Sequence, residues 1–233
     1  MNATEPNSNS TQECLPRRVR MVFRKGEIVK YISNLDLLRA WERALRRAQL
    51  PLAYTQGFNP HPRITIAMPL AVGCSGENEV VDVLLDAGDE DEAELVRTVG
   101  DALEPVMPPG LSVLLVVEVP WGDPALATQF SHARYQIVLE GIDRSEVERQ
   151  VAALMEKPKV PIRFRRKSFD LRPLIGSLDV LPASSGDVDT LWLEATLLQD
   201  ARGRIGRPDH VTQALELEPY VRRMVRTELA FQP

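Results

Sequence analysis

Cysteine is nearly absent from this chain of 233 residues: Cys14 and Cys74 are too few for a disulfide framework and do not form a CxxC pair. That usage fits a reducing, cytoplasmic setting and supplies no structural zinc site. Histidine is as scarce. His61, His132 and His210 lie far apart, and none stands in a metal-binding spacing such as HExxH, so no metal is expected. No apolar run approaches the length of a membrane-spanning helix, which points to a soluble protein. Phosphate loops are missing too: Gly73-Cys74-Ser75-Gly76 is too short, and neither GxGxxG nor a GK[ST] ending occurs, which sets nucleotide hydrolysis aside. No serine or cysteine nucleophile with an orienting acid is evident. Residues 1–12 are rich in Asn, Ser and Thr without a basic start or apolar core, so they read as part of a disordered tail over 1–16 and not as a signal peptide.

What is present is ordinary globular material, 44% hydrophobic and 26% charged, ample for a core. The net charge of −5 argues against indiscriminate nucleic-acid or membrane binding, but it averages over blocks of opposite sign. Between Arg17 and Arg47 stand ten basic residues against three acidic ones, whereas residues 77–104 carry eleven acids and one base, Arg97. A second basic block runs from Lys157 to Arg172, with seven bases against Asp170 alone.

Periodicity predicts strands over 18–24, 63–68, 79–85 and 111–119, with a Gly-rich connection over 73–76. Helices are predicted from a Ser33 cap to about residue 49, and over 92–103. After a break at Trp121-Gly122-Asp123-Pro124 the element order repeats: strand 133–140, helix 144–156, strands 161–169 and 190–198, helix 208–217 and strand 223–231. The expected class is α+β: two tandem ferredoxin-like (βαββαβ) halves, antiparallel sheets with helices on one face. The boundaries follow as a first domain over 17–120, a linker over 121–132 and a second domain over 133–233.

One stretch gathers chemistry as no other does: Tyr54-Thr55-Gln56-Gly57-Phe58-Asn59-Pro60-His61-Pro62-Arg63. Tyr54 and Phe58 can stack on a base, Asn59 can read an amide or base edge, Arg63 can pair with a phosphate, and His61 is the only general acid or base in reach. Prolines on both sides restrict the backbone at His61. The preceding helix adds a basic stripe of Arg39, Arg43, Arg46 and Arg47, and in the second block Lys167, Asp170 and Arg172 suggest a polar bracket. The bland alternatives are a structural loop whose Phe58 plugs the core and whose Asn59 satisfies a turn, helix arginines paired with Glu42 or neighbouring acids, and charged edges guarding against aggregation at Arg163 and Arg165.

Tyr31 to Asp36 with Arg39, the helix run Glu42-Arg43-Ala44-Leu45-Arg46-Arg47-Ala48, then Leu50-Pro51-Leu52-Ala53-Tyr54, Gly57-Phe58-Asn59-Pro60-His61-Pro62-Arg63 and Pro69-Leu70 together resemble the uncharacterised bacterial radical S-adenosylmethionine-linked protein family. Asp170-Leu171-Arg172-Pro173 resembles its second-half signature. The resemblance implies a radical S-adenosylmethionine enzyme as partner. It implies no cofactor on this chain, because the iron–sulfur cluster and S-adenosylmethionine belong to the partner and CxxxCxxC is missing here. The chain departs from the family pattern at Asn34, where histidine is usual. The resulting expectation is an accessory protein, RNA-binding or substrate-presenting, with no chemistry of its own. The alternatives are an RNA-cleaving protein of tandem ferredoxin-like type using His61 as general base, and a protein-interaction module anchored by Phe58 and Trp121.

Overall fold

Alternation of apolar and charged residues builds the first strand: in β1 (Arg17–Lys25), Val19, Met21 and Phe23 are buried. The computed structural model describes residues 15–89, 91–164, 167–181 and 190–232. The predicted tail over 1–16 therefore falls almost wholly outside the described residues, as do Cys14, Arg165 and Arg166. In α1 (Asn34–Arg47) the Ser33 hydroxyl accepts from the Asp36 amide at 3.2 Å, and Leu37, Ala40, Trp41, Ala44 and Leu45 turn inward. The helix stops at Arg47, short of residue 49, because Gln49 has φ 56° and turns the chain out of the helical path.

β2 (Ile64–Ile66) pairs with the far end of β3 (Cys74–Leu85). Of the run 73–76, expected as a connection, residues 74–76 instead open β3, with Gly76 facing Lys25 of β1. A Cβ at Gly76 would come within 2.2 Å of the Glu79 carboxylate, so a glycine there leaves space for that side chain inside the strand. α2 (Glu92–Leu103), capped by Asp91, and β4 (Leu111–Val119) complete the first half, whose strands lie in the order β4-β1-β3-β2.

The predicted linker holds a helical turn, α3 (Leu126–Gln129), and the start of β5 (Phe130–Glu140), because Leu126 and Phe130 are apolar enough to be drawn into the interior. After α4 (Arg144–Glu156) the structure departs from expectation. Residues 161–169 do not form one strand of the main sheet but fold back as a separate hairpin, β6 (Pro161–Phe164) and β7 (Lys167–Asp170). Only Ile162 of β6 is buried, whereas β8 (Ile175–Leu181) offers Ile175 and Leu178 to the core and takes the place beside β9 (Thr190–Leu198). α5 (Pro208–Ala214) ends before residue 217 because Glu216 turns at φ 56° while the Leu217 amide reaches back to the Thr212 carbonyl at 2.8 Å. β10 (Val221–Phe231) closes the chain, giving the order β10-β5-β9-β8 in the second half.

The two groups of strands form one eight-stranded sheet, antiparallel except where β10 runs parallel to β3 through Met224, Val225 and Arg226. One core packs Val19, Met21 and Phe23 against α1 and α2; the other packs Tyr135, Ile137 and Leu193 against α4 and α5. Arg226 is in register with both Gly76 and Tyr135, and Gly76 with Lys25, which puts both cores on the same face of the sheet. The fold is thus mixed α+β, with a mostly antiparallel sheet and few helices. Among the described residues no helix is long and apolar enough to cross a membrane.

Candidate nucleic-acid interface

The sequence between α1 and β2 makes a small tongue rooted on the end of β3. Ala53 donates to the Leu84 carbonyl at 2.9 Å, Leu84 donates to Arg63 at 3.0 Å, and Arg63 donates to Ala53 at 2.9 Å. Farther out Tyr54 bridges to Pro62, and Thr55 donates to the His61 carbonyl at 2.9 Å while its hydroxyl accepts from the His61 amide at 3.0 Å. Gly57 adopts φ 131°, a conformation disfavoured for residues with a Cβ, and so lets the tip reverse. Beyond it Phe58 is fully exposed, at 106% of its reference area. The core-plugging alternative for Phe58 is therefore wrong: the tongue leads the ring away from the sheet. Asn59, His61 and Arg63 are exposed beside it. Among the described residues no hydrogen bond or ion pair orients the His61 ring.

The basic residues of the first block divide by their partners. Arg17 bonds to Glu118 across β4 at 2.8 Å, Arg20 to Asp82 across β3 at 2.8 Å, Arg24 pairs with Glu77, and Lys30 pairs with Glu27 at 2.9 Å. Much of the first basic block is thus neutralised by the acidic stretch that follows it. Among the described residues only Arg39 of α1 has an acidic partner, Asp36 at 3.4 Å, with both side chains more than half exposed. Among the described residues Arg43, Arg46 and Arg47 pair with no acid, neither Glu42 nor any other, and all three are exposed. Arg46 instead lies over the Tyr54 ring, 5.9 Å from its centroid. The structure therefore brings the unpaired end of the basic stripe to the base of the tongue.

The second basic block is used differently. Asp170 accepts from the Val160 and Arg172 amides at 2.8 and 3.0 Å, and Arg172 donates to the Ile175 carbonyl at 3.2 Å. Asp170 holds main chain at the hairpin's base and Arg172 ties to the start of β8, and among the described residues neither bonds to the tongue. The Lys167 side chain lies outside the described residues. Phe164 and Phe169 set their rings edge-on to His210 at centroid distances of 5.0 and 5.2 Å, with Arg207 and Arg204 stacked over them. His210 is only 5% exposed, neither ring nitrogen has a hydrogen-bond partner among the described residues, and burial pushes its pKa below the usual histidine value.

Where the two halves meet there is a polar joint that the patterns did not predict. Arg226 of β10 donates to both carboxylate oxygens of Glu79 on β3, to the Met68 carbonyl at 2.6 Å and to the Tyr135 hydroxyl at 3.3 Å. Beside it the buried Lys25 ammonium donates to the Lys30 and Cys74 carbonyls at 3.0 and 3.2 Å, and desolvation lowers its pKa. Desolvation also drives the Cys74 thiol up to about 12. The signal existed: Glu79 falls in phase with the inward Val81 and Val83, a charge at a core position. Nothing in the pattern named Arg226 as its partner. These groups stitch the sheet together and stand apart from the exposed tongue.

No curated protein matches the chain. Among solved structures, one chain in the crystal structure of a Cbf5-Nop10-Gar1 complex is similar over 97% of this chain and 55% of its own length, at 10% identity and TM-score 0.44. This chain thus spans about half of it. The small subunit of acetolactate synthase from Thermotoga maritima is similar over 93% of this chain and 96% of its own, at 12% identity and TM-score 0.27. A protein family matches residues 18–207, taking in α1, the tongue and the hairpin. The chain belongs to that family, described as an uncharacterized protein conserved in bacteria (DUF2344).

Proposed function

We propose that this protein is an accessory RNA-binding protein, without chemistry of its own, that presents RNA or another substrate to a radical S-adenosylmethionine enzyme. The RNA reading rests on one observation above the rest. A fully exposed phenylalanine stands at the tip of a tongue whose base adjoins Arg46, one of three α1 arginines that pair with no acid among the described residues. A free aromatic ring beside cations without acidic partners fits a ligand that carries both π faces and negative charge. The enzyme partner rests on the family resemblance of the tongue and α1. The strand orders β4-β1-β3-β2 and β10-β5-β9-β8 support reading the halves as tandem ferredoxin-like units, each with its last strand beside its first and its third beside its first.

The test is binding of labelled cellular RNA at low salt by wild type and by a variant carrying Arg46→Ala and Arg63→Ala. Both arginines are exposed, so the variant should fold normally and lose most of its affinity. Unchanged binding by the variant, or no RNA bound by wild type, would remove the reading. The protein-interaction alternative keeps one supporting observation, the exposure of Trp121 and Phe58. It anticipates partner binding that survives loss of the arginines. The cleavage alternative needs His61 held in a defined direction by a neighbour, and incubation of RNA with wild type and His61→Ala protein tests it through the appearance of cut products.

A further inference from the structure

Resting on the RNA-binding reading, we infer that the ligand is specifically a single strand with unpaired bases, taken up by stacking on Phe58 while its backbone runs along α1. The exposure of Phe58 is what discriminates. In a paired A-form helix the base faces are already stacked on one another, so recognition falls to the 2′-hydroxyls and phosphates, and an isolated ring on a tongue gains nothing. On a single strand every base offers a face, and each aromatic contact contributes independently of sequence. Among the described residues Phe58 packs into none of the apolar clusters: its exposure exceeds its reference area, and Gly57 at φ 131° carries it outward.

Tyr54 strengthens the argument. It is 41% exposed and already has Arg46 above its ring at 5.9 Å, so one site offers a second ring together with a guanidinium. The stripe on α1 supplies the backbone half of the contact. Arg39, Arg43 and Arg46 recur at helical spacing on one face, and at about 1.5 Å per residue they span roughly 10 Å, a line of cations suited to a few consecutive phosphates. Asp36 competes only for Arg39, at 3.4 Å and in water. The rings thus lie where the line of cations ends, which is the arrangement a strand of splayed bases requires.

The experiment measures binding by fluorescence anisotropy with two probes of one sequence: a labelled uridine-rich RNA of about 16 nucleotides, and the same strand annealed to its complement. Wild type should bind the single strand at least about tenfold more tightly than the duplex. Phe58→Ala should weaken single-strand binding by about 5- to 150-fold and leave the duplex unaffected. Phe58→Trp should retain binding, whereas Phe58→Leu, which keeps apolar area but no π face, should behave like the alanine variant. Because Phe58 lies outside both cores, none of these changes should disturb folding. Equal binding of the two probes, or an equal effect of Phe58→Ala on both, overturns the single-strand inference while leaving an RNA-binding protein. Binding of neither probe overturns the RNA reading itself and this inference with it.

Discussion

Glu79 and Arg226 are almost wholly removed from water, at 1% and 2% exposed, and each is the other's principal partner. Removing one charge strands its mate among apolar groups, which costs about 3–5 kcal/mol for a buried pair, whereas replacing both by apolar residues of similar volume is often close to neutral. Glu79→Met or Arg226→Met alone should therefore lower the urea unfolding free energy by about 3–5 kcal/mol, and the double variant should recover most of that loss. Additive losses would show that the two groups do not act as a pair. His210 gives a second expectation at this scale. Burial lowers its pKa in the folded protein below the value near 6.5 of an unfolded chain, so the unfolded state binds protons first as pH falls. Its contribution is fully present above about pH 6.5 and is lost as pH drops through the lowered folded value. Between about pH 7 and about pH 5, wild type should lose more stability than His210→Phe, measured by urea midpoints. Equal losses would contradict the assignment. Neither residue drew notice in the sequence as a buried group: a lone histidine at a helix start and an arginine in a strand look like surface, and only tertiary contacts with Tyr135, Phe164 and Phe169 make them interior.

Elements with local causes were legible, and those whose places depend on competition were not. α1 was readable because Ser33, Asp36 and the inward run through Leu45 all act within one helix. Ser33→Ala should accordingly cost about 1 kcal/mol of stability, the ordinary value of an N-cap, while RNA binding stays unchanged because the cap lies at the opposite end of α1 from Arg46 and the tongue. A thermal melt shift with no change in affinity is the expected pair of results; a selective loss of affinity would show that the cap end takes part in binding. The hairpin β6–β7 was not readable. Residues 161–169 and 175–181 both suit a strand, and the choice between them was decided by which buries more against β9 and α4, a long-range comparison that alternation alone cannot make. The tongue was half legible. Its composition singled it out from the rest of the chain, but the outward direction of Phe58 follows from the ladder between Ala53, Arg63 and Leu84, which only the folded sheet supplies.

For the whole molecule, the parallel seam between β3 and β10 joins what the repeat suggested were separate domains into one sheet, with Arg226 bonded across it. Charge shows a similar change with scale. The sequence presents a basic block followed by an acidic one, and folding pairs many of these charges across β1, β3 and β4, leaving Arg43, Arg46 and Arg47 as helix cations without acidic partners among the described residues. The negative total therefore coexists with a local cationic surface beside the tongue. Its most direct test is the salt dependence of single-stranded RNA binding. With Arg39, Arg43, Arg46 and Arg63 each meeting a phosphate, the logarithm of affinity should fall against the logarithm of salt with a slope of about −2 to −3, and alanine at all four positions should bring the slope close to zero. A slope near zero in wild type, or one that survives the fourfold variant, would contradict the account.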